Sequence, residues 1–272
     1  MSNTKQRIIS AVVMILIFIT SLYFGKVGYQ LLLLITGGLL VDEITTNLVA
    51  SNRLRPSYLI AISTYIIAYL FFIFVENSII YINEILNLGI IINLIFMGYL
   101  FFNKMDSKKL TLFFKKFSFL LGIIFLIPIL CLSYISFSSN WIEIIGLLFI
   151  LNFSVDTGAW YFGRKYGNKK LWPAISPKKT INGSLGGIIV GVSLSTLYTF
   201  YIFGKINLFI IIGFILLSIL AQLGDLVESK IKRQFAVKDS SNLIPGHGGI
   251  YDRLDSLIFV SPFFILFIKN LL

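Results

Sequence analysis

Residues 207–256 read NLFIIIGFILLSILAQLGDLVESKIKRQFAVKDSSNLIPGHGGIYDRLDS, an apolar run that passes without a break into the longest polar stretch of the chain. From Asp225 to Ser256 this stretch holds five of the 12 acidic residues, five of the 23 basic residues and the single histidine. About 20 apolar residues cross a bilayer, so 207–227 is read as a spanning helix that ends in this charge. Ionisable groups are costly at membrane depth and are concentrated there only for a use.

The remaining sequence repeats the apolar half of that pattern. Of the 272 residues, 57% are hydrophobic and 13% charged, and mean hydropathy is +0.90. Soluble domains carry about 25% charged residues. Nine apolar segments fall near 8–24, 28–45, 58–75, 79–102, 117–137, 141–162, 183–203, 207–227 and 256–272. Buried backbone must be satisfied within each segment, so the expected fold is all-α, a polytopic integral membrane protein of about nine transmembrane helices. The alternation of a membrane barrel strand is absent. Lys5 and Arg7 precede the first run, which is too long for a signal peptide and lacks a small-x-small cleavage site; it is read as a retained helix. Cys131 lies inside an apolar run and gives no metal or redox signal.

Threading nine spans puts 20 of the 23 Lys/Arg on one side, leaving only Lys26, Lys205 and Lys269 on the other. The positive-inside rule then places the N-terminus and the basic loops in the cytoplasm and the C-terminus outside. A single integral domain, 1–272, is expected: N-terminal helices over 1–116, and over 117–272 the helices and loops that carry the chemistry. Gly183, Gly187 and Gly191 recur every four residues and read as a close helix-packing seam.

If the eighth helix runs past the membrane edge to about Gln234, Asp225, Ser229 and Lys232 share one face. A carboxylate directly after an apolar run calls for a cation, and Mg²⁺ takes one or two carboxylates with water or phosphate oxygens beside them. Pro245-Gly246-His247-Gly248-Gly249 suits a turn whose N–H groups form an anion nest. Asp252 and Asp255 stand three apart at a helix start, with Arg253 between them. Carboxylates around a basic glycine loop are the parts of a metal–polyphosphate site. A lone histidine is more often structural than catalytic, but His247 lies between glycines in a polar loop, which brings the two readings level. A second basic loop follows the sixth helix. Asp156 lies within the apolar segment before it, and Lys178, Lys179 and Thr180 precede a helix start whose free N–H groups bind anions. The glycine spacing is not that of a P-loop.

These two loops resemble the phosphatidate cytidylyltransferase family, the CDP-diacylglycerol synthases. The family pattern S-x-x-K-R-x4-K-D-x5-P-G-H-G-G-x-x-D-R-x-D is met by Ser229, Lys232, Arg233, Lys238, Asp239, Pro245 to Gly249, Asp252, Arg253 and Asp255. Asp156, Gly158, Ala159 and the run Ser176 to Thr180 match as well, as does the Gly224-Asp225-Leu226 step with Glu228. One position departs: Asn182 stands where the family usually has glutamate. The N-terminal half resembles the family only in hydropathy.

The resemblance implies transfer of the cytidylyl group of CTP to phosphatidic acid at the cytoplasmic membrane, with Mg²⁺ as cofactor and room for a second cation. It also implies a homodimer, and no nucleic-acid partner is expected. Asp225 and Asp252 are then the expected Mg²⁺ ligands, with Asp255 as a further contributor. Lys232, Arg233, Lys238, Arg253, Lys178 and Lys179 would bind phosphates. Ser176, Thr180, Ser229, Asp239, His247 and the glycines Gly246, Gly248 and Gly249 complete the substrate set, and Asp156 would orient a lysine. Two other readings stand beside this one: a CTP-dependent kinase of isoprenoid alcohols and an anionic-lipid transporter. The pairing of S-P-K-K-T with P-G-H-G-G disfavours the first. The clustering of charge at one face, rather than at mid-membrane, disfavours the second.

Overall fold

The computed structural model describes residues 3–75, 78–105 and 107–271. Leu272, the end of the ninth apolar segment, and Asp106, in the basic loop between the fourth and fifth apolar segments, lie outside them. Ten α-helices run in order: α1 Asn3–Tyr23, α2 Gly25–Glu43, α3 Pro56–Phe74, α4 Ile82–Phe102, α5 Lys109–Lys116, α6 Leu121–Tyr134, α7 Trp141–Tyr166, α8 Ile181–Phe203, α9 Leu208–Gln234 and α10 Tyr251–Leu271. Among the described residues nine helices are long and apolar enough to cross a membrane, as expected for a multi-pass membrane protein. The exception is α5, which lies in the basic loop between the fourth and fifth apolar segments. The second basic loop is not plain coil either. It folds into an antiparallel hairpin, β1 Lys170–Trp172 with β2 Ser176–Thr180.

Several polar groups inside the spans find partners on neighbouring helices, as an apolar surround favours. Gln30 on α2 donates to Ser133 O (3.1 Å) and Ser136 Oγ (2.6 Å), and its own Oε1 accepts from Tyr69 and Ser133. This knot joins α2, α3 and α6. Pro262 within α10 cannot donate to the Ile258 carbonyl. The Ser261 hydroxyl donates there instead, and also reaches Pro128 O of α6, each at 3.1 Å. Asn93 of α4 donates to the Phe259 carbonyl at 2.8 Å, so α4, α6 and α10 are stitched together where their backbones need partners.

The glycine seam brings α7 and α8 into contact. A Cβ on Gly183 would lie 2.8 Å from Ala159 O, and one on Gly187 would lie 2.8 Å from Val155 O. Such backbone proximity is available only to glycine. It holds the C-terminal end of α7 against the hairpin and the start of α8. At the far end of α9, the buried Lys230 donates to Tyr99 O, Leu100 O and Asn103 O, capping the C-terminus of α4.

Candidate active site

The site forms where α8, α9 and α10 meet at their loop-bearing ends. α9 is continuous to Gln234, so Asp225, Glu228, Ser229 and Lys232 ride on one rigid helix. Asp255 comes from the second turn of α10. Carboxylate oxygens of Asp225, Glu228 and Asp255 lie within 4.8 Å of one another. Three hard oxygen donors at that separation could hold a divalent cation of the Mg²⁺ kind. Lys179, at the end of β2, reaches Asp225 Oδ2 at 2.5 Å, and the Ser229 hydroxyl donates to Asp225 Oδ1 at 3.3 Å.

Asp252 sits apart from that set. Its Oδ1 accepts from Lys232 Nζ at 2.5 Å. Its Oδ2 accepts from Ser240 N (2.9 Å), Ser240 Oγ (2.9 Å) and Gly249 N (2.8 Å). With both oxygens engaged, this carboxylate braces the loop. The pair read from sequence as metal ligands, Asp225 with Asp252, is therefore not the pair that converges. Glu228 takes the place of Asp252, and Asp255 joins as a full member. Lys232 bridges the two groups, 2.6 Å from Glu228 Oε1 on one side and paired with Asp252 on the other.

The glycine loop is shaped for this arrangement. Gly246 has φ 76° and Gly248 φ 91°, angles that disfavour any side chain. A Cβ on Gly248 would also lie 2.5 Å from Asp252 Oδ2. Arg253 Nη2 donates to His247 O at 2.8 Å and ties the loop to α10. Arg233 donates to Val237 O (3.2 Å) and is exposed, as are Lys238 and Asp239.

Three residues of the N-terminal helices hold the same loop. Glu43, buried at the end of α2, accepts from Ser241 Oγ (2.9 Å), Ile250 N (2.8 Å) and Tyr251 N (3.1 Å), so it caps α10 from another helix. Arg7 donates to Gly246 O at 2.9 Å. Ser10 Oγ donates to Pro245 O at 2.7 Å and lies 3.0 Å from His247 Nδ1. His247 thus packs against α1. Its partial burial, with the guanidiniums of Arg253 and Arg7 nearby, holds its pKa below the usual value.

On the other side of Asp225 a cavity of about 460 Å³ opens. Asp156, Arg164, Lys178, Lys179, Thr180 and Gln222 are among its lining residues. Thr180 caps α8 by accepting from Gly183 N at 3.1 Å, and Ser176 begins the strand that delivers both lysines. The α8 start, the lysines and Arg164 give this cavity the character of an anion site.

A family model described as "Cytidylyltransferase family" matches residues 5–271. The chain belongs to the cytidylyltransferase family. A protein of Bacillus subtilis (strain 168) named phosphatidate cytidylyltransferase is 32% identical over 97% of both chains. One of the same name from Staphylococcus haemolyticus (strain JCSC1435) is 47% identical over 125 residues, 46% of this chain and about half (48%) of its own length. Within this cytidylyltransferase the sequence reading passed over Glu228, Glu43, Arg7 and Ser10 as site residues. Glu228 carried a legible signal, one turn from Asp225 on the same face. Glu43 carried a weaker one, a carboxylate at the end of an apolar run. Nothing local marks Ser10.

Proposed function

We propose that the protein transfers the cytidylyl group of CTP to phosphatidic acid, giving CDP-diacylglycerol and pyrophosphate. The observation that carries this reading is the meeting of three carboxylates, Asp225, Glu228 and Asp255, with Lys179 at the edge of a basic cavity at the end of the spanning helices. The family and the names of its relatives support it. In this reading the N-terminus and basic loops face the cytoplasm, where CTP is available.

The chemistry is positional and electrostatic. An oxygen of the lipid phosphate, ionised near neutral pH, attacks the α-phosphorus of CTP; the new P–O bond forms as the bond to pyrophosphate breaks. No side chain need remove a proton. Lys178, Lys179 and Arg164 bind the triphosphate and offset the charge that gathers on the leaving pyrophosphate. Holding both anions in line removes much of the entropic barrier. Asp225, Glu228 and Asp255 would hold Mg²⁺, which when bound neutralises phosphate oxygens. Asp252, through Lys232, Ser240 and Gly249, keeps the glycine loop in place beside them.

Purified protein incubated with phosphatidic acid, Mg²⁺ and CTP labelled at the α-phosphate should move label into the lipid phase. CTP labelled at the γ-phosphate should leave the lipid unlabelled. Lipid labelled from the γ-position would instead identify a kinase.

A further inference from the structure

The carboxylate cluster is reached from a second side. A narrow apolar chamber of about 40 Å³ lies between α4, α6, α9 and α10, and Glu228 and Asp255 form part of its wall. A wider cavity of about 460 Å³ lies beyond it, under α5 and between α4 and α6. The two share Ile92, Phe96, Phe114 and Ile124 as lining, so the same four side chains form the partition between them. At the outer mouth Ile95 is 64% and Phe113 42% exposed, on surfaces that the bilayer would cover. Lys109 stands at its rim.

We infer that this passage receives one acyl chain of the lipid substrate, with the lipid phosphate at the carboxylates and the tail running out between α4 and α6 under α5. The inference rests on the cytidylyl-transfer reading and adds the lipid's path to it. Four observations favour a phospholipid tail over any other occupant. The lining is mostly apolar, so a methylene chain can leave the bilayer for it without exchanging an apolar medium for a polar one. The mouth lies near the loop-bearing end of α4, the end that faces the headgroups of one leaflet. A lysine at that mouth attracts an anionic headgroup. The passage ends at the groups that act on phosphate. The polar cavity beside Asp225 has the opposite character, so nucleotide and lipid approach one cluster from two sides, each in a medium that suits it. Phe96 and Phe114 line both spaces, and a chain passing from one to the other requires these rings to turn, a rotamer change of a kind common on ligand binding.

The test uses the full chain in phosphatidylcholine nanodiscs with phosphatidic acid that carries a diazirine in its acyl chain. Irradiation should place adducts on Ile92, Phe96, Phe114 or Ile124, displaced by excess unlabelled phosphatidic acid and not by added phosphatidylcholine. Adducts confined to outward faces such as α1 or α3, or adducts that phosphatidic acid does not displace, would overturn the inference. I124W and I92W, each filling the passage, give a second reading. The ratio of turnover on dioleoyl to dioctanoyl phosphatidic acid should fall about tenfold, the scale expected when a pocket loses room for a methylene or two. An unchanged ratio in both variants counts against the passage whatever the absolute rates. Displaceable adducts in a wild-type protein that makes no CDP-lipid would leave the passage standing and sink the transfer reading instead.

Discussion

At the scale of single residues, His247 shows how far chemistry can mislead when read without neighbours. It is the sole histidine, set among glycines in the most polar segment, yet its ring packs on Ser10 of α1. Burial, Arg253 and Arg7 lower its pKa, so the unfolded chain takes up a proton at higher pH than the folded one. The stability this histidine contributes is complete above the unfolded value of about 6.5 and is lost as pH falls through the window below it. The thermal midpoint of the wild type should therefore drop more than that of H247N when the pH is lowered from about 7.5 to about 5.5 across this window. Equal drops would contradict the assignment. Asn182 was the one departure from the family pattern, and the structure gives it a local role. Its amide donates to Tyr166 O at 2.5 Å, at the end of α7, a bond that a glutamate carboxylate in its place could not donate.

At the scale of elements, much of the site's architecture follows from α9 running unbroken into the loop. That continuity was legible because the apolar run of 207–227 leads into helix-compatible residues with no glycine or proline from Asp225 to Gln234. It puts Asp225 and Glu228 within one turn of each other. The ends of α10 and the glycine loop were less legible, since their partners are distant in sequence. Asp252 looks like a ligand in a motif of spaced aspartates, and only the fold reveals Ser240 and Gly249 donating to it. Glu43 lies about 200 residues from the α10 N–H groups it caps, and no pattern within the loop implies it. Replacing Glu43 by Gln would turn an amide donor toward at least one backbone donor. E43Q should lose about 1–3 kcal/mol of stability, the cost of an unsatisfied buried group, and lower transfer activity through displacement of Asp255. Thermal unfolding and turnover measured on the same preparation check this; an E43Q protein equal to wild type in both would contradict it.

At the scale of the molecule, the count of spans was legible from hydropathy, and the split of basic residues sets the topology that the proposed function needs. Cys131 is buried and makes a quiet background for labelling. In cells, a membrane-impermeant maleimide should label K205C from outside, and K115C only after permeabilisation; the reverse pattern would contradict the orientation. The helices of the N-terminal part prove to be more than membrane filler, because α1 and α2 hold the glycine loop and α4 lines the apolar approach. The whole assembly brings α8, α9 and α10 together at one carboxylate cluster. Asp255 is the member that isolates its contribution best: among the described residues no lysine forms a salt bridge with it, and asparagine keeps the oxygen that accepts from Ser256 N at 2.7 Å. The decisive measurement is the rate of label transfer from α-labelled CTP to phosphatidic acid by folded D255N at saturating Mg²⁺. A fall of about 10²–10³ relative to wild type is predicted, the usual loss when one electrostatic element of a transfer site is removed; an unchanged rate would contradict the account.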